Sequence, residues 1–136
     1  HPAAPDPDIL RLAWGAITRM VDDHAVSLMF GCTSFAGADP ALHGAALAYL
    51  GLHHAAPAAL APGRKGESVG FPAGSDDPTT ARLALPPLLR TYLGMGGWVS
   101  DHAVVDTALD TLHVFTAVEV ARIPATRVRA LRALAT

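Results

Sequence analysis

Residues 26–53, VSLMFGCTSFAGADPALHGAALAYLGLH, decide the fold. Residues 26–32 are a short apolar run of the kind that forms a buried strand with few polar breaks, as in a parallel sheet. Asp39-Pro40 then opens a helix, because proline suits the first helical turn, where its missing N–H has no partner to lose. Leu42, Ala45, Ala46, Tyr49 and Leu50 are expected to form the inner stripe of that helix, which should end near His53.

Working outward, a helix is predicted over residues 9–23, with Asp8 as its cap and Ile9, Leu10, Leu12, Ala13, Ile17, Met20 and Val21 at helical spacing. Residues 1–8, with three prolines among the first seven, read as extended chain. On the other side, residues 55–80 carry several prolines and glycines, with Arg64-Lys65 and Asp76-Asp77 among them, and are predicted to be a long surface loop. A short helix over 85–93 is entered through Pro86-Pro87 and broken by Gly94-Met95-Gly96-Gly97. Two strands follow, over 98–105 and 112–120, with a turn between them at 106–110. A final helix over 123–135 goes with Arg122, Arg127, Arg129 and Arg132, which read as a solvated basic face rather than a binding patch. Helices alternating with strands give an α/β or α+β domain. No internal repeat is present, and the whole chain, 1–136, is expected to be one partial domain.

The composition fits that picture. Of 136 residues, 51% are hydrophobic and 16% charged, so a core can form and the chain is not of the disordered class. The formal net charge of -2 offers no basic face for nucleic acid. The single cysteine, Cys32, excludes an intrachain disulfide and is expected to be a buried thiol in a chain of reducing, cytoplasmic location. The first eight residues have neither the basic nor the apolar region of a signal peptide. No apolar run is long enough to span a bilayer, so any membrane contact is expected to be peripheral.

Two stretches carry a family resemblance. The first is Phe30-Gly31-Cys32-Thr33-Ser34-Phe35-Ala36-Gly37-Ala38-Asp39-Pro40, followed by Tyr49-Leu50 and His53-His54. The second is LPPLLRTYLGMGGWVSDHAVVD, residues 85–106, followed by a hydrophobic strand. Both resemble the ornithine-acyl carrier protein N-acyltransferases of the GNAT fold, often called hemolysin-like proteins, over about residues 9–120. The resemblance implies the C-terminal part of a GNAT-like fold, a mixed sheet flanked by helices, with residues 26–32 as its fifth strand. It also implies that the first four strands have no counterpart in this chain. Where the family would hold anionic groups on a turn rich in Arg and Gly, this chain has Pro2, Pro5 and Pro7, which lack N–H donors, and the negative Asp6 and Asp8. The family also tends to carry Asp near the position of His113.

The implied reaction is transfer of a 3-hydroxyacyl group from acyl carrier protein, or from acyl-CoA, to the amine of ornithine or a related amino acid. The implied partners are acyl carrier protein and the amino-acid acceptor, with either a homo-oligomer or the missing half completing the fold. By that resemblance Phe30, Gly31, Cys32 and Thr33 would line the acyl groove with their backbone. Ser34 either donates to a substrate carbonyl or is satisfied by its local turn. Tyr49 is either the acid toward the leaving thiolate or a core tyrosine. A metal site is not expected: His43 and His53 are ten residues apart, and His53-His54 point in different directions on a helix. Asp101 and His102, adjacent on a strand, should face opposite sides and form no dyad. His113 can meet Asp101 or Asp106 if the strand register allows it. The alternative to an enzyme is an inactive module whose exposed strand edge at 26–32 serves protein association.

Overall fold

The computed structural model describes residues 6–74 and 77–136. The chain divides into two compact units, one formed by Phe30–Val118 and the other by the residues up to Met29 with Glu119–Thr136.

In the larger unit, strand β1 (Leu28–Ala36, which begins in the other unit) leads through a 3-10 turn at Pro40–His43 into helix α2 (Gly44–His53). The short strand β2 (Ser68–Gly70) and helices α3 (Pro78–Leu83) and α4 (Pro87–Gly94) follow. Strands β3 (Trp98–Asp106) and β4 (Thr111–Glu119) then complete a four-stranded sheet of order β1-β4-β3-β2. β2 with β3 and β3 with β4 are antiparallel. β1 also opposes β4: Gly37 N–H donates to the Asp110 carbonyl, and four residues earlier Thr33 meets Thr116. This strand order, with helices packed on the sheet, is consistent with the C-terminal part of a GNAT-like fold.

The core lies on one face of the sheet. Phe35 from β1, Val99 and Ala103 from β3, and Leu112 and Val114 from β4 pack against Leu47 and Leu50 of α2, Leu85, and Leu89 of α4. Burying side chains of this size contributes roughly 1.5–3 kcal/mol each.

Several expectations are corrected. Residues 26–32 are not a buried strand: β1 stands at the end of the sheet order, Phe30, Gly31 and Cys32 are exposed, and the strand runs on to Ala36. An apolar run alone does not distinguish a central strand from an edge strand. The inner stripe of α2 is Ala46, Leu47, Ala48 and Leu50, whereas Leu42 is 69% exposed. The 3-10 turn winds three residues per turn, so Leu42 falls out of phase with the α-helix that follows. The stretch 55–80 is not a free loop. β2 pairs with β3, Ala55 bridges to Val99, Phe71 packs on the core, and α3 begins at Pro78 on the Asp77 cap. Of the Asp76-Asp77 pair, Asp76 lies outside the described residues.

In the smaller unit, helix α1 (Pro7–Asp23) packs against helix α5 (Ala125–Leu134). The cap is Asp6 rather than Asp8, with its carboxylate 2.9 Å from the Asp8 N–H, so Pro7 and Asp8 are helical and not extended. Residues 1–5 of the expected extended segment lie outside the described residues. The apolar residues that give α1 its helical spacing are only partly what it buries: Ile17 and Val21 are half-buried, Ile9, Leu10, Leu12, Ala13 and Met20 are exposed, and Gly15 is buried. A Cβ on Gly15 would stand 2.5 Å from the Leu134 carbonyl oxygen, so the helices can approach this closely only at glycine. Arg132 holds Asp22 through two hydrogen bonds of 3.0 Å each, and these keep the Asp22 carboxyl below its ordinary pKa.

Candidate functional site

On the sheet face opposite the core, three side chains from three strands join in one hydrogen-bonded chain. Ser34 Oγ of β1 lies 2.9 Å from His113 Nδ1 of β4, and His113 Nε2 lies 3.2 Å from Asp106 Oδ2 of β3. Thr111 Oγ1 approaches the same Nε2 at 3.1 Å.

Local rules place each member. Thr33 and Phe35 are buried, so alternation along β1 turns Ser34 to the other face. Leu112 and Val114 are buried in the same way, which leaves Thr111, His113 and Phe115 on the Ser34 face. The β3–β4 register sets Asp106 opposite Thr111, one alternation from His113. Asp110, in the left-handed region at φ 50°, accepts the Ala38 N–H on its carboxylate at 2.9 Å and the Gly37 N–H on its carbonyl at 2.8 Å. These two bonds fasten the end of β1 to the turn and hold Ser34 beside His113.

The Asp106 carboxyl is held below its ordinary pKa, first by the Leu109 backbone N–H and then by His113. An ionised Asp106 only accepts, so it favours the His113 tautomer with the proton on Nε2. Nδ1 then offers its lone pair to the Ser34 hydroxyl, which donates. His113 and Asp106 keep 23% and 29% side-chain exposure, so the imidazole is held in place yet reachable. Such an arrangement can take a proton from a bound nucleophile.

Beside this polar chain, the same face carries an aromatic row. Phe30 stacks on Phe115 at 5.7 Å between ring centroids, and Phe115 lies 6.1 Å from Trp98. Phe30 is 70% exposed. Cys32 sits between Phe30 and Ser34 on β1 as an exposed free thiol.

The expected site residues are thus divided. Phe30, Cys32 and Ser34 share the open face, and Gly31 has no atom within 4 Å of where a Cβ would stand. The Thr33 side chain is committed to the core, 3.1 Å from the buried Thr116 hydroxyl, so only its backbone could serve a ligand. Tyr49 packs against the core cluster and lies on the opposite side of the sheet from Ser34. The structure does not bring these two together. His113 and Asp106 were visible in the sequence as a pair awaiting a register, whereas their junction with Ser34 had no signal in chain order.

The Asp101–His102 expectation is corrected. His102 Nδ1 lies 2.7 Å from Asp101 Oδ1, because β3 bulges between Val99 and Ala103 and strict alternation fails there. This bond is also the main reason the Asp101 carboxyl sits below its ordinary pKa. Asp101 is exposed and His102 buried, with Arg64 Nε 3.9 Å from the carboxylate. Among the described residues no group of three or more His, Cys, Asp or Glu is arranged to hold a metal ion. No helix among them is long and apolar enough to cross a membrane.

Comparison with known proteins gives one consistent answer. Over 120 residues, 84% of the chain, it is 32% identical to an L-ornithine N(alpha)-acyltransferase of Brucella abortus, covering 42% of that protein. It is 34% identical over 116 residues to the enzyme of that name from Rhodobacter capsulatus, covering 45% of it. The chain is a relative of the L-ornithine N(alpha)-acyltransferases. A third such enzyme, from Rhizobium meliloti, is 32% identical over 120 residues, with 40% of its length covered. The chain therefore spans less than half the length of these acyltransferases. No family model matches it, and no solved structure does. All the residues of the open face, from Phe30 to Phe115, come from the larger unit of this acyltransferase relative.

Proposed function

We propose that the chain is the acyl-transferring part of an N-acyltransferase, which moves a 3-hydroxyacyl group from acyl carrier protein to the amine of ornithine or a related amino acid in membrane-lipid synthesis. The similarity to the L-ornithine N(alpha)-acyltransferases is the observation that carries this reading. The open sheet face supplies its chemistry. An amino acid's ammonium must lose a proton before its nitrogen can attack a thioester. In this reading the Ser34 hydroxyl accepts that proton while passing its own to His113 Nδ1, and ionised Asp106 stabilises the imidazolium. The nitrogen bonds to the acyl carbon, the carbon–sulfur bond breaks, and the departing thiolate takes up the second proton that the nitrogen gives up as it becomes an amide, so that a thiol leaves on its carrier. The acyl chain lies over Phe30 and Phe115. The open edge of β1, residues 30–34, offers backbone groups to the pantetheine arm, as extended ligands are held at sheet edges. Acyl-CoA is the simpler donor of the same chemistry.

The test is calorimetric titration of the folded chain with acyl carrier protein and with coenzyme A. Mass spectrometry of N-acylornithine made from the acyl thioester follows. Saturable donor binding, with product that disappears in His113→Ala, supports the reading. No binding of either donor by the folded chain, or product unchanged in His113→Ala, overturns it.

A second reading, an association module without catalysis, draws on β1 alone. It is an end strand, and no strand among the described residues pairs with its outer edge. Such edges recruit strands from other chains. Light scattering decides it: a monomer removes this reading, and a dimer that protects the β1 amides from exchange favours it.

A further inference from the structure

A pocket of about 290 Å³ opens among α2, α3 and α4, on the core side of the sheet and away from Ser34 and His113. Tyr49 and His54 line it from the end of α2, Arg82 from α3, Arg90 from α4, and Leu85 and Leu93 provide apolar walls. Two arginines on separate helices thus line one small space. Among the described residues neither has a carboxylate within ion-pair distance, whereas Arg64, Arg122 and Arg132 each have one. The Tyr49 hydroxyl likewise has no hydrogen-bond partner among them. Leu85 is 3% exposed, whereas Arg82 and Arg90 are themselves exposed and reachable by a ligand.

We propose that this pocket binds a phosphate dianion, either free phosphate or the end group of a phosphate monoester, between Arg82 and Arg90. Two guanidinium charges balance one dianion, and their planar forks match phosphate oxygens with paired N–H donors. A monocarboxylate would leave one positive charge uncompensated. The pocket volume suits a small headgroup and not a nucleotide or an acyl chain.

His54 reports on the site. Its pKa is lowered by burial, and then by the charges of His53 and Arg82. Tyr49 and His53 face it from α2 and Arg82 from α3, and Arg90 of α4 shares the pocket lining. A dianion placed among these groups favours protonated His54, so binding raises its pKa and is accompanied by proton uptake.

The experiment is titration of the full chain with inorganic phosphate, glycerol 3-phosphate and acetate, followed by calorimetry and by the His54 imidazole signals in NMR. One-to-one phosphate binding is expected, weakened about tenfold or more in each of Arg82→Gln and Arg90→Gln. Arg127→Gln on α5 and Ser34→Ala should bind as the wild type does. Circular dichroism checks that each variant is folded. Tighter binding of glycerol 3-phosphate than of phosphate identifies a monoester as the occupant, and the reverse order identifies free phosphate. No saturable phosphate binding by the folded chain, equal binding of acetate, or unchanged binding in both arginine variants overturns the proposal. None of these readouts involves acyl transfer, so the result stands apart from the reaction at Ser34 and His113.

Discussion

Ser34 Oγ stands 2.9 Å from His113 Nδ1, across 79 residues of chain. The contact exists because Asp110 fastens Gly37 and Ala38 to the β3–β4 turn, which sets the β1 register against β4. Asp106 completes the chain from the far side of the imidazole. An imidazole held between a hydroxyl and a carboxylate has a fixed tautomer, and a fixed tautomer is what a base needs.

His113→Ala should lower acyl transfer by a factor of about 100 or more, the usual contribution of a positioned base. Asp106→Asn should lower it less in the plateau at high pH than near neutrality, because the amide still reaches His113 but no longer stabilises the imidazolium. Rate against pH for both variants checks this. Loss of the same factor at every pH in Asp106→Asn would argue for a structural role.

The depressed pKa of Asp106 also makes a stability prediction. A carboxyl whose folded pKa lies below its unfolded value stabilises the fold above the ordinary aspartate range. That contribution fades as pH falls through the lower, folded value. The urea midpoint of wild type should therefore exceed that of Asp106→Asn at neutral pH, and the two should converge in acid. The Leu109 N–H is the larger cause and His113 the second, so His113→Ala should leave part of the difference in place.

Cys32 lies two residues before Ser34 on the same face of β1 and is exposed. Alkylation by a maleimide should block donor binding or transfer in the wild type and leave Cys32→Ser unaffected. Cys32→Ser itself should retain activity, since no step uses the thiol. Transfer assays before and after alkylation measure this, and full activity of the alkylated chain would place the acyl groove elsewhere.

Thr33 and Thr116 should respond unequally to substitution by valine. The Thr116 hydroxyl contacts both Thr33 Oγ1 and the Val114 carbonyl, whereas Thr33 Oγ1 has only Thr116. Thr33→Val removes one hydrogen bond and should cost about 1 kcal/mol. Thr116→Val strands the buried Thr33 hydroxyl and should cost more, about 1–3 kcal/mol. Urea denaturation of both variants tests the order.

Gly15→Ala should destabilise the packing of α1 on α5 by roughly 1–3 kcal/mol, the range for overpacking. The new methyl would meet the backbone oxygen of Leu134, which cannot rotate away as a side chain can. The gain in helix propensity, ~1 kcal/mol for Gly to Ala, offsets only part of this. Thermal denaturation of the variant, read from helical circular dichroism, provides the check.

Local chemistry was enough to place most elements. Pro40 and Pro87 stand in the first turns of their helices as expected, whereas Pro7 and Pro78 open helical turns where extended chain and loop were expected, and the two late strands begin and end within one residue of where their apolar runs lie. The motifs at 30–40 and 85–106 carried the resemblance to ornithine acyltransferases, and the chain is 32% identical to one of them over 120 residues. Pairing partners and faces were not local. The phase of α2 depended on a 3-10 turn, the order of β3 side chains on a bulge, and the edge position of β1 on which strand chose to pair with it.

The amino-acid order by itself made the longer helices, the two late strands and the family resemblance legible, because propensity, capping and apolar period act between residues a few positions apart, whereas β2 and α3 were not legible in it. Only the tertiary structure decided that Ser34, Asp106 and His113 form one chain while Tyr49 faces the other way. Strand register is set by the burial of whole faces and by turns such as Asp110, and one residue of slip would turn every one of these side chains to the opposite side.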